Sequence, residues 1–160
     1  MKAGKTNAAR ILDREKISYR LIPYEVDEDD LSAAHLANQL GQDIDTVFKT
    51  LVLKGDRSGH FVCVVPGGKE VDLKKAAKAS GNKSCAMLPL KDLQTVTGYV
   101  RGGCSPIGMK KAFPTYVHES VGEHGEIYVS AGQRGLQLLL RPGDLIAAAE
   151  ARTADLVVSG

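Results

Sequence analysis

One lysine in a predicted strand is the first candidate for chemistry. Residues 46–54 are mostly β-branched or apolar, which is typical of a strand, and alternate side chains of a strand point to opposite faces. Lys49 therefore shares a face with three aliphatic residues, Val47, Leu51 and Leu53. A buried lysine needs a partner or a polar cleft, which makes Lys49 a candidate ligand-binding cation. A charge that protects an edge strand, or a side chain that extends to water, explains the same pattern.

The second candidate is a glycine-rich loop at residues 99–108, with the sequence YVRGGCSPIG. Paired Gly102 and Gly103 permit backbone geometry in which N–H groups converge on an anion or a carbonyl oxygen. The loop lacks the Gly-Lys-Ser/Thr sequence of a P-loop and the spacing of a dinucleotide-binding turn. A tight connection between two elements explains the same residues, because glycine serves backbone geometry in most loops.

A cysteine, two histidines and a serine give weaker signals. Cys104 lies in the glycine loop and would be a nucleophile if His118 or His124 acted as its base, but nothing in the sequence brings them together. The same two histidines are too few ligands, at an unhelpful spacing, for a metal site. Ser130 precedes a glycine turn, where its hydroxyl either binds a polar ligand or simply lies at the end of a hairpin. No metal site is therefore predicted.

Composition predicts one globular domain, residues 1–160. The chain is 43% hydrophobic and 25% charged, and 21 basic against 19 acidic residues leave a net charge of +2. That charge does not by itself indicate a nucleic-acid-binding protein. No apolar run approaches the roughly 20 residues that span a bilayer, and none follows the basic N-terminus, so we expect no membrane association and no signal peptide. Three widely spaced cysteines indicate a reducing compartment, the cytoplasm.

Helical and extended segments interleave along the chain. Hydrophobic periodicity and end signals predict helices at 6–16, 31–40, 73–80, 90–96 and 142–150. Strands are predicted at 18–26, 46–54, 60–65, 84–88, 115–119, 126–131, 136–140 and 155–158. Because several of these strands are joined by tight turns and others by helices, we expect a mixed sheet and an α+β fold.

Three motifs together resemble a known family. The chain contains Phe48-Lys49-Thr50-Leu51, then GYVRGGCSPIGMKK from Gly98 to Lys111, then YVSAGQRG from Tyr128 to Gly135. In order and spacing they resemble the YbaK/EbsC group of bacterial aminoacyl-tRNA deacylases, which is related to the editing domain inserted in prolyl-tRNA synthetase. The resemblance covers nearly the whole chain. It implies a cytoplasmic enzyme that hydrolyses mischarged Cys-tRNA(Pro) in trans, with Cys-tRNA(Cys) as a further candidate substrate, and that uses no metal, cofactor or protein nucleophile.

The same resemblance implies a fold and a set of site residues. The expected fold is a single domain with a strongly curved, barrel-like mixed β-sheet surrounded by helices. Lys49 and the backbone amides of Gly102 and Gly103 are the expected catalytic groups, which would stabilise an oxyanion while the substrate's own thiol attacks the ester. The residues expected to bind substrate are Tyr24, Phe48, Thr50, Ser105, Pro106 and Ser130. The expected partners are the acceptor end of tRNA(Pro) and prolyl-tRNA synthetase.

Other functions fit these residues too. Removal of alanine from tRNA(Pro) by an activated water needs only a differently shaped pocket, since one methyl or thiol group changes binding by only about 1–3 kcal/mol. A non-catalytic module that binds tRNA ends or a synthetase is a second alternative, and a Cys104 hydrolase is a third. Because the net charge is only +2, we expect selectivity for tRNA(Pro) to come from a complex with the synthetase. The cations that would contact tRNA, if they formed one surface, are Lys74, Lys75, Lys78, Lys83, Arg101, Lys110 and Lys111.

Overall fold

The computed structural model describes residues 6–159. Its α-helices are α1 (Asn7–Arg14), α2 (Ala33–Leu40), α3 (Leu73–Ser80), α4 (Leu93–Thr97) and α5 (Pro142–Ala149). Its strands are β1 (Arg20–Pro23), β2 (Phe48–Gly55), β3 (Gly59–Pro66), β4 (Cys85–Met87), β5 (Thr115–His118), β6 (Ile127–Gln133), β7 (Leu136–Leu140) and β8 (Arg152–Ala154). The predicted strand at 155–158 is wrong: pairing with β5 occurs earlier, in β8, because the Leu156 N–H donates to the His118 ring instead.

Local sequence determines where α2 begins and ends. The Ser32 hydroxyl accepts a hydrogen bond from the His35 N–H at the first turn, and Gly41 ends the helix with a φ of 65°. The α-helices of the described residues have at most eight residues, and none of them is long and apolar enough to cross a membrane.

Two sheets form the framework, and their mixed topology confirms the α+β prediction. The first has the order β1-β7-β6, with antiparallel pairs throughout. The second has the order β4-β2-β3-β5-β8, in which β2 is antiparallel to β3 and β4, whereas β3–β5 and β5–β8 are parallel. The prediction of a strongly curved, barrel-like sheet is not supported, because a barrel needs every strand paired on both sides and each of these sheets keeps two edge strands within the described residues.

One parallel bridge joins the two sheets. Val47, just before β2, is bridged to Tyr128 of β6, and Tyr128 is paired with Leu139 of β7. These three side chains share one face and pack with Ala37 of α2 in a small buried cluster. Helix α2 therefore covers the line where the two sheets meet.

Both faces of the β2–β3 hairpin are buried. Phe48 and Val52 belong to the main core, whereas Leu53 and Phe61 pack on the other face with α3 and the C-terminal segment. Lys49 shares the face of Leu53 because side chains an even number of residues apart along a strand lie on the same side. The prediction that this lysine lies on a core-facing side is confirmed.

The tip of the β2–β3 hairpin is held by Asn82, which is 8% exposed. Its Oδ1 accepts from the N–H groups of Arg57 and Ser58, both at 2.9 Å, and its Nδ2 donates to the hydroxyls of Ser58 and Ser80. Asn82→Ala should lower the free energy of unfolding by about 2–3 kcal/mol, because two backbone donors lose their acceptor. Urea unfolding measures this, with the exposed Asn38→Ala as control. An equal effect of the two substitutions would contradict the prediction.

Candidate functional site

A cavity of about 480 Å³ lies where α2, β2, β6, β7 and the glycine loop meet. The loop before α2, the start of α2, the glycine loop and the segment 87–93 form its walls. Strand β4 pairs only with Leu53–Gly55 of β2, and on the same side the start of β2 approaches β6 through a bridge between Val47 and Tyr128.

Strand register places three polar side chains side by side along the cavity. Lys49 lies two residues after Val47 and Ser130 two residues after Tyr128, so each shares the face of its bridged neighbour, and Ser130 is paired with Gln137. All three line the cavity. They lie two residues along their strands from the buried set beneath α2, which consists of Val47, Tyr128 and Leu139. A cation, a hydroxyl and a carboxamide thus come together from distant parts of the chain. We call them the polar row.

Lys49 is a half-buried cation without an ion pair. Its Nζ donates to the Gly67 carbonyl oxygen over a long 3.4 Å, and no carboxylate of the described residues lies within 4.0 Å. Burial lowers the pKa of Lys49 below its ordinary value, and the charge of Glu70 acts in the opposite direction. The ammonium group is therefore available to an anion or a polarised carbonyl in the cavity.

Two residues of the glycine loop, Gly102 and Cys104, line the cavity. Gly102 lines the cavity with a φ of +81°, a conformation that favours glycine. The Gly103 N–H donates to the Val100 carbonyl oxygen at 2.9 Å, so the role in oxyanion binding that we expect for this amide is not available to it. The N–H groups of Gly102 and Cys104 have no acceptor among the described residues and remain candidates for that role.

The turn between β6 and β7 holds the glycine loop in place. Arg134 Nε donates to the Arg101 carbonyl oxygen at 2.7 Å, and Arg134 Nη1 lies 3.7 Å from a carboxylate oxygen of Glu28, in the loop before α2. A Cβ atom on Gly103 would lie 3.0 Å from the Arg134 backbone nitrogen, so this close approach requires glycine. Arg134 links two loops that both border the cavity.

Four of the six residues expected to bind substrate line the cavity: Tyr24, Phe48, Thr50 and Ser130. Ser105 and Pro106 do not. Both are buried, and the Ser105 hydroxyl accepts from the amide two residues later at 3.2 Å. The chain turns into the core at this point, so Ser105 and Pro106 support the loop instead of contacting the cavity.

Two buried oxygen atoms on the cavity wall have no hydrogen-bond partner. They are Thr50 Oγ1 and Gln137 Oε1, and no protein group of the described residues satisfies either. A buried polar atom without a partner costs about 1–3 kcal/mol of stability. Gln137 is not among the predicted site residues. Its signal was present as a single amide in the apolar run Leu136–Leu140, the kind of signal that singled out Lys49.

Cys104 lines the cavity, but its environment does not activate it. It is 8% exposed, and burial raises its pKa to about 11, so the thiol is neutral at pH 7. No histidine of the described residues lines this cavity, whereas His118 and His124 line a smaller one elsewhere. This geometry contradicts a Cys104–histidine pair. The described residues also contain no group of three or more His, Cys, Asp or Glu that could hold a metal ion.

The seven lysine and arginine residues that were considered for tRNA contact have different surroundings. Lys75 Nζ lies 2.9 Å from a carboxylate oxygen of Asp155 and donates to the Val157 carbonyl oxygen at 2.8 Å, so it ties α3 to the C-terminal segment. The hydrogen bond from Lys75 lowers the pKa of the Asp155 carboxyl. Of the seven, Arg101 alone lines the cavity within the described residues.

Lys49→Met should make the protein more stable at pH 7, by about 1 kcal/mol or 2–4 °C in Tm, because it removes a buried charge and keeps the apolar stem. The folded-state pKa of Lys49 is lowered, so the wild-type protein loses this burial cost as the pH rises towards 10.5. The difference in Tm between Lys49→Met and wild type should therefore become smaller at alkaline pH. Thermal unfolding across pH measures it.

Lys54→Met is the matched control, because Lys54 lies on the same strand and is exposed. Its effect should stay within about 0.5 kcal/mol at every pH. A Lys49→Met protein that is less stable than wild type at pH 7 would show that this lysine supports the fold.

Comparison with known proteins adds to this geometry. A family model of the aminoacyl-tRNA editing domain matches residues 27–148. The chain is 49% identical over 152 residues, 95% of this chain and 93% of the relative, to an Enterococcus faecalis protein named "Putative Cys-tRNA(Pro)/Cys-tRNA(Cys) deacylase EbsC". It is also 32% identical over 79 residues, 49% of this chain and 14% of that protein, to the proline–tRNA ligase of Fervidobacterium nodosum.

The fold recurs in solved structures. A structure described as "a putative trans-editing enzyme for prolyl tRNA synthetase" has a TM-score of 0.82 at 22% identity, over 98% of this chain and 100% of that chain. The family match covers most of the chain and includes the polar row and the glycine loop. The chain therefore belongs to the aminoacyl-tRNA editing domain family.

Proposed function

We propose that this protein is a trans-editing deacylase that releases cysteine from mischarged Cys-tRNA(Pro), with Cys-tRNA(Cys) as a further substrate. The observation that carries the proposal is Lys49, an unpaired ammonium group that lines a cavity together with a glycine loop. The Enterococcus relative, 49% identical to this chain, carries the name of that activity. The cavity of about 480 Å³ is in the size range of small-molecule sites and can hold an aminoacyl ester.

The proposed mechanism uses a nucleophile supplied by the substrate. The thiol of the esterified cysteine attacks its own carbonyl carbon, a C–S bond forms, the bond to the ribose oxygen breaks, and the thiol proton passes to that oxygen. The products are free tRNA and the four-membered thiolactone of cysteine, whose C–S bond water then hydrolyses to give cysteine. Lys49 and the amides of Gly102 and Cys104 stabilise the negative charge that develops on the carbonyl oxygen. Positioning of the thiol and preorganised electrostatics can together contribute many kcal/mol.

The absence of an activated protein nucleophile from the cavity supports this mechanism. The Cys104 thiol is neutral at pH 7, and the histidines of the described residues lie outside the cavity. Selectivity then follows from chemistry as well as from fit. The hydroxyl of serine is a far poorer nucleophile than a thiol at neutral pH, and alanine has none.

A panel of aminoacyl-tRNAs tests the proposal. With tRNA(Pro) charged with cysteine, serine, alanine or proline, we expect rapid release of cysteine and at least about 100-fold slower release of the others, since effective molarities of oriented groups are large. Lys49→Met should reduce cysteine release by at least about 100-fold, because removal of one oxyanion-stabilising group has that order of effect. Cys104→Ala should retain the wild-type rate.

Three outcomes of that panel would overturn parts of the proposal. Equal rates on alanine and cysteine would indicate an activated water instead of the substrate thiol. Loss of activity in Cys104→Ala would indicate that Cys104 is the nucleophile. Binding of aminoacyl-tRNA without any release would indicate a non-catalytic module.

Selectivity among tRNAs is proposed to depend on prolyl-tRNA synthetase. The net charge of +2 gives a weak electrostatic attraction to RNA. We expect the purified protein to act on Cys-tRNA(Pro) and Cys-tRNA(Cys) at similar rates, within about tenfold, and the synthetase to raise the rate on tRNA(Pro) alone through mass action. The same deacylation assay, with and without the synthetase, measures this.

The glycine loop gives a test of backbone geometry. Gly102→Val should lower kcat strongly, because valine disfavours the φ of +81° and displaces the loop where it lines the cavity. Gly81→Val is the matched control, with a φ of +76°, no atom within 4 Å of an added Cβ and a position at the end of α3. Both variants should lose comparable stability, about 1–3 kcal/mol. Wild-type turnover by Gly102→Val would show that the loop only connects two elements.

A further inference from the structure

We propose that an apolar wall at the mouth of the cavity, formed by Met87 and Leu90, binds the face of the terminal nucleobase of the RNA. This inference rests on the proposed function and adds a base-binding site to the same cavity. Leu90 is 62% exposed, the most of any large apolar side chain in the part of the chain that the structure describes, and Met87 is 43% exposed. Both line the cavity. Cavity-lining side chains that remain in contact with solvent lie at the mouth, so they face the part of a ligand that projects from it.

The backbone holds the apolar wall in place although its side chains are exposed. Strand β4, which pairs with β2, ends at the start of this wall. The Leu88 N–H then donates to the Val52 carbonyl oxygen at 2.9 Å. The Asp92 N–H donates to the Pro89 carbonyl oxygen at 2.9 Å, which closes a turn around Leu90. Side chains on a fixed backbone bind a ligand with a smaller loss of conformational entropy than side chains on a mobile loop.

The chemistry of the proposed substrate places a nucleobase at this mouth. The ester carbonyl lies beside Lys49 in the proposed mechanism. The amino acid is attached to a ribose hydroxyl and the base to C1′ of the same ring, so the base lies only a ribose away from the ester. A base has two flat, largely apolar faces, and covering one of them with aliphatic side chains removes apolar surface from water on both sides of the contact.

Charge favours the apolar wall over the loop before α2 as the path of the RNA. The cavity-lining residues within 87–104 include Arg101 and no carboxylate, whereas the loop before α2 contributes Asp27 and Asp30. Arg101 is exposed and makes no ion pair within residues 6–159. The phosphate next to the terminal nucleoside is attracted by this arginine and repelled by the two carboxylates. Tyr24, which lies close to them in sequence, is therefore the less favoured platform for the base.

This assignment has a consequence for base recognition. Leucine has no hydrogen-bonding group in its side chain and methionine only a weak acceptor, so neither reads the edge of a base. The apolar wall therefore recognises the area of a base and not its identity. Adenine and guanine bind alike, and discrimination among tRNAs comes from other groups.

A binding experiment with a matched pair of non-hydrolysable probes tests the inference. The first probe is 3′-deoxy-3′-(cysteinylamino)adenosine, and the second is the same cysteinyl amide on a ribose that carries hydrogen in place of the base. Calorimetry gives Kd for both probes with each protein. Wild type should bind the first probe about 5–20-fold more tightly than the second, because the base covers the exposed part of two aliphatic side chains. The double variant Met87→Thr/Leu90→Ser should bind the two probes equally, through loss of affinity for the first alone.

Leu73→Ser is the matched control, because Leu73 is 41% exposed and does not line the cavity. This variant should keep the wild-type Kd for both probes, and a guanosine form of the first probe should bind wild type within about threefold of the adenosine form. If the double variant fails to fold in a thermal unfolding control, Leu90→Ser alone should still reduce the preference for the first probe by at least about twofold.

Several outcomes would overturn the inference. They are wild type that binds neither probe or binds both equally, an unchanged preference in the double variant, and equal weakening of both probes in that variant. Loss of the preference in Tyr24→Ala, with the double variant unaffected, would place the base at the loop before α2 instead. Unchanged probe binding together with weaker binding of prolyl-tRNA synthetase by the double variant would assign the apolar wall to a protein partner.

The experiment reports on the inference independently of the proposed function. Binding of an amide probe needs no turnover, so wild type that prefers the probe with the base yet releases no amino acid would contradict only the proposed function. Rapid deacylation together with additive effects of the double variant and of removing the base would contradict only the inference.

Discussion

The single parallel bridge between Val47 and Tyr128 is the constraint on which the site depends. It joins two sheets that otherwise share no ladder in the described residues, and α2 covers it with a small apolar cluster. Because strand side chains repeat every two residues, the register fixed by this buried row also fixes the next row, in which Lys49, Ser130 and Gln137 line the cavity. A slip of one residue in this register would turn all three away from the cavity.

The polar row is held by its surroundings at a cost to stability. Lys49 is half-buried with only a long hydrogen bond to a carbonyl oxygen, and both Thr50 and Gln137 keep a buried oxygen without a partner. Packing of the rest of the domain supplies the free energy that keeps these groups in place. Departures from local rules of this kind concentrate at functional sites.

The glycine loop divides structural and chemical tasks between adjacent residues. Gly103 lies against the β6–β7 turn and its amide is engaged within the loop, whereas Gly102 lines the cavity. Arg134 holds the loop by the Arg101 carbonyl oxygen. Cys104 is kept neutral by burial, so the loop contributes backbone geometry and the proposed chemistry relies on the substrate thiol.

The sequence by itself determined the local features of this protein. Strand alternation predicted that Lys49 faces the core, turn and helix signals predicted most elements within a few residues, and the interleaving of helices and hairpins predicted an α+β fold with a mixed sheet. Three motifs in order predicted the family. These features were accessible because propensity, capping and side-chain alternation act over a few neighbouring residues.

The tertiary structure alone decided what the distant residues do. It brought Ser130 and Gln137 into one cavity with Lys49, assigned the Gly103 amide to Val100, buried Ser105 and Pro106, and left both sheets open where a barrel was expected. It also moved the last strand to β8, because the Leu156 amide binds the His118 ring. Register between strands far apart in the chain, and the competition of several acceptors for one amide, depend on the packing of the whole domain, and no local pattern in the sequence encodes them.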